Sequence, residues 1–257
     1  MKILTVVILL FSFSCMDLFI PQSDFNSIHL NGGAWVQIFN RDDDGNVLNI
    51  LDGSFTLELW ITGQNIDTES APAIITIQNS DGDLEFGIFR DLNRDDVMII
   101  CTDECIETDI TDLDWSEDDE FHYIAITSNQ TTLSLFLDGT NVFSTSIDTF
   151  DIGDNDLFIG AYGNKSLSFL DNFWFGYLTE LRMWNTDLNS STISFHSDNP
   201  EKLTEETESD LLDNLKGLWR FNLLETDSYE FIDESGNGND GEIRTLQGYE
   251  VELSEKG

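Results

Sequence analysis

Residues 176–185 read GYLTELRMWN, and this stretch decides the fold. Its odd-numbered positions form a largely apolar set: Tyr177, Thr179, Leu181 and Met183. Its even-numbered positions combine an apolar residue with an acid, a base and an indole: Leu178, Glu180, Arg182 and Trp184. Alternate residues of a strand face opposite sides of a sheet. The pattern therefore predicts a strand with one apolar face and one face that carries charged and aromatic side chains.

Short stretches of the same kind recur along the chain and are separated by turn residues. They are SFTLELWI at 54–61, AIITIQ at 73–78, LEFGIF at 84–89, FHYIAIT at 121–127, TLSLFLDGTNVFST at 132–145 and LFIGAY at 157–162. The Asp-Gly pair at 138–139 is typical of a tight hairpin turn. Many short strands at near-regular spacing indicate an all-β sandwich or jelly roll.

The order of these motifs resembles the concanavalin A-like, laminin-G-like jelly-roll family over residues 28–195. The motifs that carry the resemblance are SFTLELWI, FHYIAIT, LSLFLDGTNV, LFIGAYG and FWFGYLTELRMWNTDL. The resemblance implies an antiparallel β-sandwich jelly roll with a short late helix, which we place at residues 27–200. Thr179 stands where the family has an acid and Phe121 where it often has Trp, and the first departure argues against metal ligation there.

The C-terminal stretch LKGLWRFNLLETDSYEFIDESGNGNDGEI, at 215–243, also resembles sequence motifs of this family. In the family such a strand and Gly-rich turn open a module, whereas here they follow one. We expect residues 217–257 to close the same sandwich, because too few residues remain for another core and an orphan apolar strand would aggregate. The alternative is a truncated second module.

Helical signals are confined to the last third of the chain. NTDLNSSTISFH, at 185–196, predicts a short capped turn or helix. PEKLTEETESDLLDNLK, at 200–216, has acids near its start and Lys216 at its end, which suits a helix dipole. Residues 201–216 are therefore a helix or, alternatively, an acidic linker.

Composition restricts the partners. Hydrophobic residues make up 40% of the chain, enough for a sizeable core, while 50 acids against 11 bases give a formal net charge of −39. Such a surface repels nucleic acid phosphates and anionic lipid headgroups, so neither is expected to bind. Divalent cations would be attracted, or the charge serves only to hydrate the surface.

The N-terminus predicts export. Lys2 precedes the apolar run ILTVVILLFSF, which is short for a membrane span, and the run leads to Cys15. This arrangement resembles the lipobox of bacterial lipoproteins, in which the cysteine is acylated. We expect residues 1–15 to be a signal peptide and 16–26 a tether. The protein would be anchored by lipid at the cell surface or in the periplasm; the alternative is plain secretion.

Two further cysteines, Cys101 and Cys105, lie in CTDEC. In an oxidising compartment an isolated pair tends to form a disulfide. Three intervening residues suit two strand ends joined across a hairpin tip. Metal binding is the weaker interpretation, because no His or further Cys follows nearby.

The sequence offers no catalytic constellation. A glucanase of this fold carries an E-x-D-x-x-E strand, and its carboxylates alternate into one cleft; DLDWSEDDE, at 112–120, lacks that spacing. The three histidines, His29, His122 and His196, lie in different motifs, and a structural role is expected for each. We therefore predict a binding module without catalysis.

Calcium is the cofactor that the acidic loops suggest, because branches of the family hold it at the rim of the sandwich with carboxylate and carbonyl oxygens. NRDDDGNV contributes Asp42 and Asp44. FIDESGNGND contributes Asp233, Asn237, Asn239 and Asp240. Ordinary acidic turns are the alternative for each loop.

A ligand surface is suggested by two strands that both carry Glu and Trp opposite their aliphatic face. If these strands are neighbours, they bring together Glu58, Trp60, Glu180, Arg182 and Trp184. Such a surface suits sugars, whose rings stack on indoles and whose hydroxyls bond charged groups. The alternative is that these residues belong to the fold. We expect a lectin-like module that recognises glycans, with protein adhesion as the second hypothesis and a polysaccharide-degrading enzyme as the third.

Overall fold

The computed structural model describes most of the chain from residue 26 onward. The described residues are 26–39, 53–64, 71–78, 84–91, 93–94, 96–102, 104–110, 120–147, 156–163, 170–204, 209–221, 229–246 and 252–255. The predictions for the signal peptide, Cys15, Asp42 and Asp44 lie outside these ranges.

Within these ranges the chain forms eighteen strands, one α-helix and one 3-10 helix. The strands are β1 (Asn26–Asn31), β2 (Ala34–Ile38), β3 (Phe55–Ile61), β4 (Ala73–Gln78), β5 (Leu84–Arg90), β6 (Val97–Cys101), β7 (Cys105–Asp109), β8 (His122–Ser128), β9 (Thr132–Leu137), β10 (Thr140–Ser146), β11 (Leu157–Ile159), β12 (Tyr162–Gly163), β13 (Leu170–Asp171), β14 (Phe175–Trp184), β15 (Leu215–Trp219), β16 (Glu230–Phe231), β17 (Gly241–Thr245) and β18 (Glu252–Glu255). The α-helix, α1, is Ser190–Asp198, and the 3-10 helix is Ser209–Asn214.

The strands build two sheets of eight. The first sheet runs β10-β9-β8-β3-β14-β1-β18, with β15 also paired to β14. The second sheet runs β16-β17-β2-β11-β4-β5-β6-β7. All pairs in these two sheets are antiparallel. This architecture confirms the predicted antiparallel β-sandwich.

The main core lies between the sheets. The long strands of both sheets contribute alternate apolar residues to it, as the period of two requires. Large buried members include Ile28, Val36, Phe55, Leu57, Ile77, Ile126, Met183 and Trp219. The face of each sheet that points away from this core is called its outer face below.

A bulge at Glu180 changes the alternation that the sequence predicted for 176–185. Thr179 pairs with Trp60 and Leu181 with Leu59, so Glu180 is an extra residue in β14. Its φ is +44°, in the left-handed region. The strict alternation predicted for 176–185 is therefore wrong across Glu180. Leu178 and Leu181 both lie in the core, so the residues before the bulge face the side opposite to the predicted one.

The C-terminal strands extend both sheets. β15 lies beside β14, with Leu181 opposite Trp219. β17 lies beside β2 in the second sheet, and β18 lies beside β1 in the first. Strand β15 begins at Leu215, two residues before the expected boundary at 217.

The late helical segments differ in kind. Helix α1 has Asn189 as its N-cap, and the Asn189 side chain accepts hydrogen bonds from the N–H groups of Ser191 and Thr192. The predicted short capped helix is thus confirmed. The described part of 201–216 contains the six-residue 3-10 helix and no α-helix. The 3-10 helix ends where Leu215 pairs with Trp184 as the first residue of β15. In the described residues no helix is long and apolar enough to cross a membrane.

The predicted disulfide joins Cys101 to Cys105. Cys101 ends β6, Cys105 begins β7, and the two residues are directly opposite in the antiparallel register. The bond therefore closes the tip of a hairpin, as the spacing of the cysteines predicted.

Candidate functional site

Strands β3 and β14 are neighbours in the first sheet, so the side chains that the sequence singled out do come together. Glu58 lies opposite Arg182, and Thr56 lies opposite Trp184. Trp60 contributes the face of its ring, 4.7 Å from the Arg182 guanidinium carbon. The five predicted ligand-binding residues thus share one region of the first sheet.

That region is covered by the chain itself. Helix α1 and the segments on either side of it place apolar side chains over the outer face of the first sheet: Leu188, Ile193, Leu203 and Leu211. Glu58, Glu180, Arg182 and Trp184 are 0% exposed as a result. A glycan outside the protein cannot contact them in this structure. Their burial agrees with the alternative that the sequence left open, namely that they belong to the fold.

Glu58 is the centre of the buried network. Its Oε1 accepts hydrogen bonds from the Tyr123 hydroxyl at 2.5 Å and from His196 Nδ1 at 2.7 Å. Its Oε2 accepts one from Trp184 Nε1 at 3.0 Å. Arg182 Nη1 lies 3.7 Å from the same oxygen. Three strands and α1 therefore converge on one carboxylate.

Glu180 holds the second half of the network. Its Oε1 accepts from Arg182 Nε at 2.9 Å and Nη2 at 2.8 Å. Its Oε2 accepts from Arg220 Nε at 3.1 Å, and Arg220 also lies 3.6 Å from Glu234. Arg182 Nη2 further donates to the Pro200 carbonyl. The bulge is what turns the Glu180 carboxylate toward both guanidinium groups.

The charges in this network shift the ionisation of its members. Burial alone would raise the pKa of Glu58, but His196, Arg182 and the hydrogen bonds from His196 and Tyr123 hold it below its ordinary value. Burial and the neighbouring Glu58 carboxylate raise the pKa of Tyr123 well above its usual range. Although burial lowers the pKa of Arg182, Glu180 and Glu58 raise it overall. These three groups stay ionised, neutral and ionised, respectively, at neutral pH.

Such a network is suited to holding α1 on the sheet and not to chemistry on a substrate. Both oxygens of Glu58 and both of Glu180 accept hydrogen bonds from protein groups. A buried ion pair mainly fixes one arrangement of the elements it joins.

The predicted metal residues at 233–240 hold the loop between β16 and β17 against β15 through hydrogen bonds. Asp233 accepts hydrogen bonds from the backbone N–H groups of Leu218, Ser235 and Asn239. Its own N–H donates to Asp240 Oδ1. An acid saturated by backbone amides is poorly suited to calcium, which needs free oxygens.

Asn237 and Asn239 also hold this loop against β15, through hydrogen bonds from their side-chain amides. The Asn237 amide donates to the Leu215 carbonyl at 2.8 Å, and the Asn239 amide donates to the Lys216 carbonyl at 2.5 Å. Across the part of the chain that the structure describes, no group of three or more His, Cys, Asp or Glu side chains is placed to hold a metal ion.

The outer face of the second sheet differs from that of the first. At the β16 edge, Tyr229 and Ile232 are 53% and 65% exposed. Glu230 lies opposite Glu242, and Arg244 donates to Glu242 within β17. Glu230 and Glu242 therefore share one face of β16 and β17, whereas Tyr229 is only next to Glu230 in sequence and bonds the core residue Ile243 through the backbone. We call Tyr229, Glu230, Ile232, Glu242 and Arg244 the β16 edge.

The β16 edge continues inward along β2. Glu242 lies opposite Gln37, and Arg244 lies opposite Trp35. Trp35 and Gln37 face away from the main core, because Val36 between them belongs to it. Sequence reasoning missed all these residues, although the alternation in AWVQI would have placed Trp35 and Gln37 on one face.

A family model described as the concanavalin A-like lectin/glucanases superfamily matches residues 31–194. The chain belongs to this superfamily. The match confirms the resemblance of the strand motifs, and it covers more than half of the 257 residues. No curated protein sequence matches the chain.

Solved structures with the same fold differ widely in sequence. A candidate carbohydrate-binding protein from Bacteroides ovatus superposes with a TM-score of 0.59 at 16% identity, over 89% of this chain and 62% of that one. A heptameric pentraxin from Limulus polyphemus superposes with a TM-score of 0.50 at 11% identity, over 68% and 82%. A Trypanosoma rangeli sialidase gives 0.50 at 18% identity, over 66% of this chain and 26% of the sialidase. The chain therefore spans less than two thirds of the Bacteroides protein, and these likenesses establish the fold alone.

Proposed function

We propose that the protein is a non-catalytic, glycan-binding module and that its ligand surface is the β16 edge. The superfamily includes lectins, and the structural neighbour from Bacteroides ovatus is a candidate carbohydrate-binding protein. The observation that carries the proposal is the row of charged groups Glu230, Glu242 and Arg244 on β16 and β17, with the exposed Tyr229 immediately before β16. Sugars are held by such combinations, because their rings stack on aromatic faces and their hydroxyls bond charged groups.

The state of the carboxylates supports binding without cleavage. Glycoside hydrolysis uses two carboxyl groups that face the scissile bond across a cleft. Glu58 and Glu180 are fully buried and engaged by Arg182, His196 and Arg220. The superfamily also contains glucanases, so release of reducing sugar from neutral and acidic polysaccharides is the direct check. Measurable cleavage would replace this proposal with an enzyme.

Protein adhesion is the second function that a specific observation favours. Tyr229 and Ile232 are both exposed, one on each side of β16 in sequence, and exposed aromatic and aliphatic side chains are common in protein interfaces. Adhesion predicts that a protein ligand is captured while no glycan binds.

A glycan array probed with the purified domain tests the proposal. Tyr229→Ala should lose most of the signal, because the stacking surface disappears. Ile106→Ala is the matched control: Ile106 is 40% exposed on β7, at the opposite edge of the same sheet. An array without any hit, or a signal lost equally in both variants, would refute glycan binding at the β16 edge. The array should be run with calcium and with chelator, because calcium dependence is part of the lectin hypothesis.

Export and lipid anchoring complete the proposal. The sequence before residue 16 has a basic residue, an apolar run and Cys15 in the order of a lipoprotein signal. A binding module outside the cytoplasm would meet polysaccharides directly, and one acyl-modified cysteine would keep it at the membrane.

A further inference from the structure

Two polar side chains at the inner end of the β16 edge are buried without hydrogen-bond partners for one of their atoms. Trp35 is 3% exposed and Gln37 is 2% exposed. Trp35 Nε1 and Gln37 Oε1 have no partner among the described residues. An unsatisfied buried donor or acceptor is costly, and native proteins rarely keep one without a reason.

The orientation of the Gln37 amide is fixed by a neighbour. Its Nε2 donates to Asp156 Oδ2 at 2.9 Å. The reversed amide would place two oxygens against each other, so Oε1 is the atom left over. Trp35 supplies only a donor, because an indole N–H cannot accept. One unused donor and one unused acceptor therefore lie two residues apart on the same face of β2.

A hydroxyl group both accepts and donates, so it complements this pair. We propose that Trp35 Nε1 and Gln37 Oε1 hold one hydroxyl of a neutral sugar at the inner end of the β16 edge. This inference rests on the proposed glycan-binding function and gives it a substrate class. The hydroxyl accepts from the indole and donates to the amide oxygen.

The surrounding charges exclude acidic sugars. Asp156 bonds Gln37 directly, and Glu242 is the cross-strand neighbour of Gln37. Arg244 is the nearest cation in the register; its Nη2 pairs with Glu242, while its Nε has no partner among the described residues. A carboxylate on the ligand would face these acids within a chain of net charge −39, so a neutral ring is favoured.

The sugar would enter from the side of β17. Glu242 and Arg244 are partly exposed there, next to the exposed Glu230. Phe173 and Leu246, which directly follows β17 and bonds Gly33, pack against the Trp35 cluster, so the sugar would approach at Glu242 and Arg244 and not at the Leu246 end of β17. The ring would rest on the β16 edge, and because Trp35 Nε1 and Gln37 Oε1 are covered in the unbound structure, one hydroxyl would reach them by displacing part of that cover.

Tryptophan indole NMR signals test the inference with defined probes. We would titrate the full domain with glucose and galactose and, as matched anions, with glucuronate and galacturonate. The Trp35 Nε1–H signal should move with a neutral sugar and not with its uronate. Trp184 and Trp219 are internal references, because their N–H groups already donate to Glu58 and to the Asn239 carbonyl.

Trp35→Phe removes the donor and keeps an aromatic ring. Affinity for the neutral sugar that binds most tightly should fall about tenfold, the value of one hydrogen bond. Trp60→Phe, on the first sheet, should leave affinity unchanged. Equal affinity in Trp35→Phe and wild type, or a Trp35 signal that no sugar moves, would overturn the inference. A loss of thermal stability in Trp35→Phe without any change in sugar affinity would indicate a buried water there and would also overturn it.

The two proposals fail in different ways. If sugars bind and Tyr229→Ala abolishes binding while Trp35→Phe does not, the glycan function stands and the hydroxyl site falls. If neither the array nor any sugar gives a response, both fall. Equal binding of a sugar and its uronate rejects the neutral substrate class.

Discussion

His196 Nδ1 lies 2.7 Å from Glu58 Oε1, although the two residues are 138 positions apart. The other ring nitrogen, Nε2, lies 3.0 Å from the Leu203 carbonyl. A carbonyl and an ionised carboxylate can only accept. Each of these two contacts is therefore a hydrogen bond when the facing ring nitrogen carries a proton.

The network matches acids with bases. The buried Glu58 and Glu180 and the exposed Glu234 face Arg182, Arg220 and His196. Such pairing spares the buried charges most of the penalty for isolated ions.

His196→Gln should lower the free energy of unfolding by about 3–5 kcal/mol, because Glu58 then loses its imidazole partner on α1. Urea unfolding measures this. His122→Gln is the control: His122 pairs with Asp138 at 2.9 Å near the surface, and such pairs contribute less than about 1 kcal/mol. Equal losses in the two variants would contradict the central role of His196.

The depressed pKa of Glu58 predicts how stability depends on pH. A carboxyl group whose pKa is lower in the folded state stabilises the protein above its unfolded pKa, here the ordinary value of 4.5, and this stabilisation is lost as the pH falls through the folded pKa. Gln at this position mimics the protonated acid. The stability difference between wild type and Glu58→Gln should therefore be largest above pH 4.5 and shrink in more acidic buffer.

Surface acids provide the comparison for this pH series. Glu230→Gln changes an exposed residue of the same type, and its effect should be small throughout. A Glu58→Gln difference that stays constant from pH 7 down to pH 3 would contradict the assigned ionisation.

Reduction of the Cys101–Cys105 disulfide should lower the free energy of unfolding only slightly. The closed loop is short, so the loss of chain entropy on cross-linking corresponds to about 2 kcal/mol at most. The double variant Cys101→Ser/Cys105→Ser should fold, and calorimetry should show a melting temperature only slightly below that of the wild type. Mass spectrometry after alkylation under non-reducing conditions should find neither thiol free; two labelled thiols would contradict the bond.

Calcium should raise the melting temperature more than sodium chloride of equal ionic strength, because screening alone acts on all acids while a bound ion stabilises the folded state. One site at a hundred times its dissociation constant adds about 2.7 kcal/mol. Because Asp233 holds its loop in place by accepting backbone hydrogen bonds, Asp233→Asn should lower the melting temperature equally in both salts. Asp42→Asn should remove the calcium-specific part, and identical melting curves of the wild type in the two salts would exclude the metal.

Lipid attachment is tested by metabolic labelling with palmitate. We expect label on the wild type and none on Cys15→Ala, which should also move from the membrane fraction into the medium. Label retained in the variant would contradict acylation at Cys15.

The sandwich was predictable because it depends on patterns that a strand repeats locally. SFTLELWI and FHYIAIT alternate without interruption, and each became a single strand, β3 and β8. The disulfide followed from a spacing of four positions. None of these inferences needed knowledge of distant contacts.

The bulge at Glu180 could not be predicted in this way. Its cause is non-local: the Glu180 carboxylate bonds Arg182 and, 40 residues further on, Arg220. Nor did alternation reveal that α1 would cover the outer face of the first sheet, which turned five expected ligand contacts into interior ones. Burial of a sheet face depends on elements remote in sequence, and β-strand patterns record only which residues share a face.

The pairing of β1 with β18 has a consequence for synthesis of the chain. Asn26 lies opposite Glu255, and β2 lies beside β17 in the other sheet. The first two strands of the sandwich therefore have neighbours among its last ones, and neither sheet is complete before β17 and β18 have been synthesised. Before that point β1 can pair only with β14, and β2 only with β11.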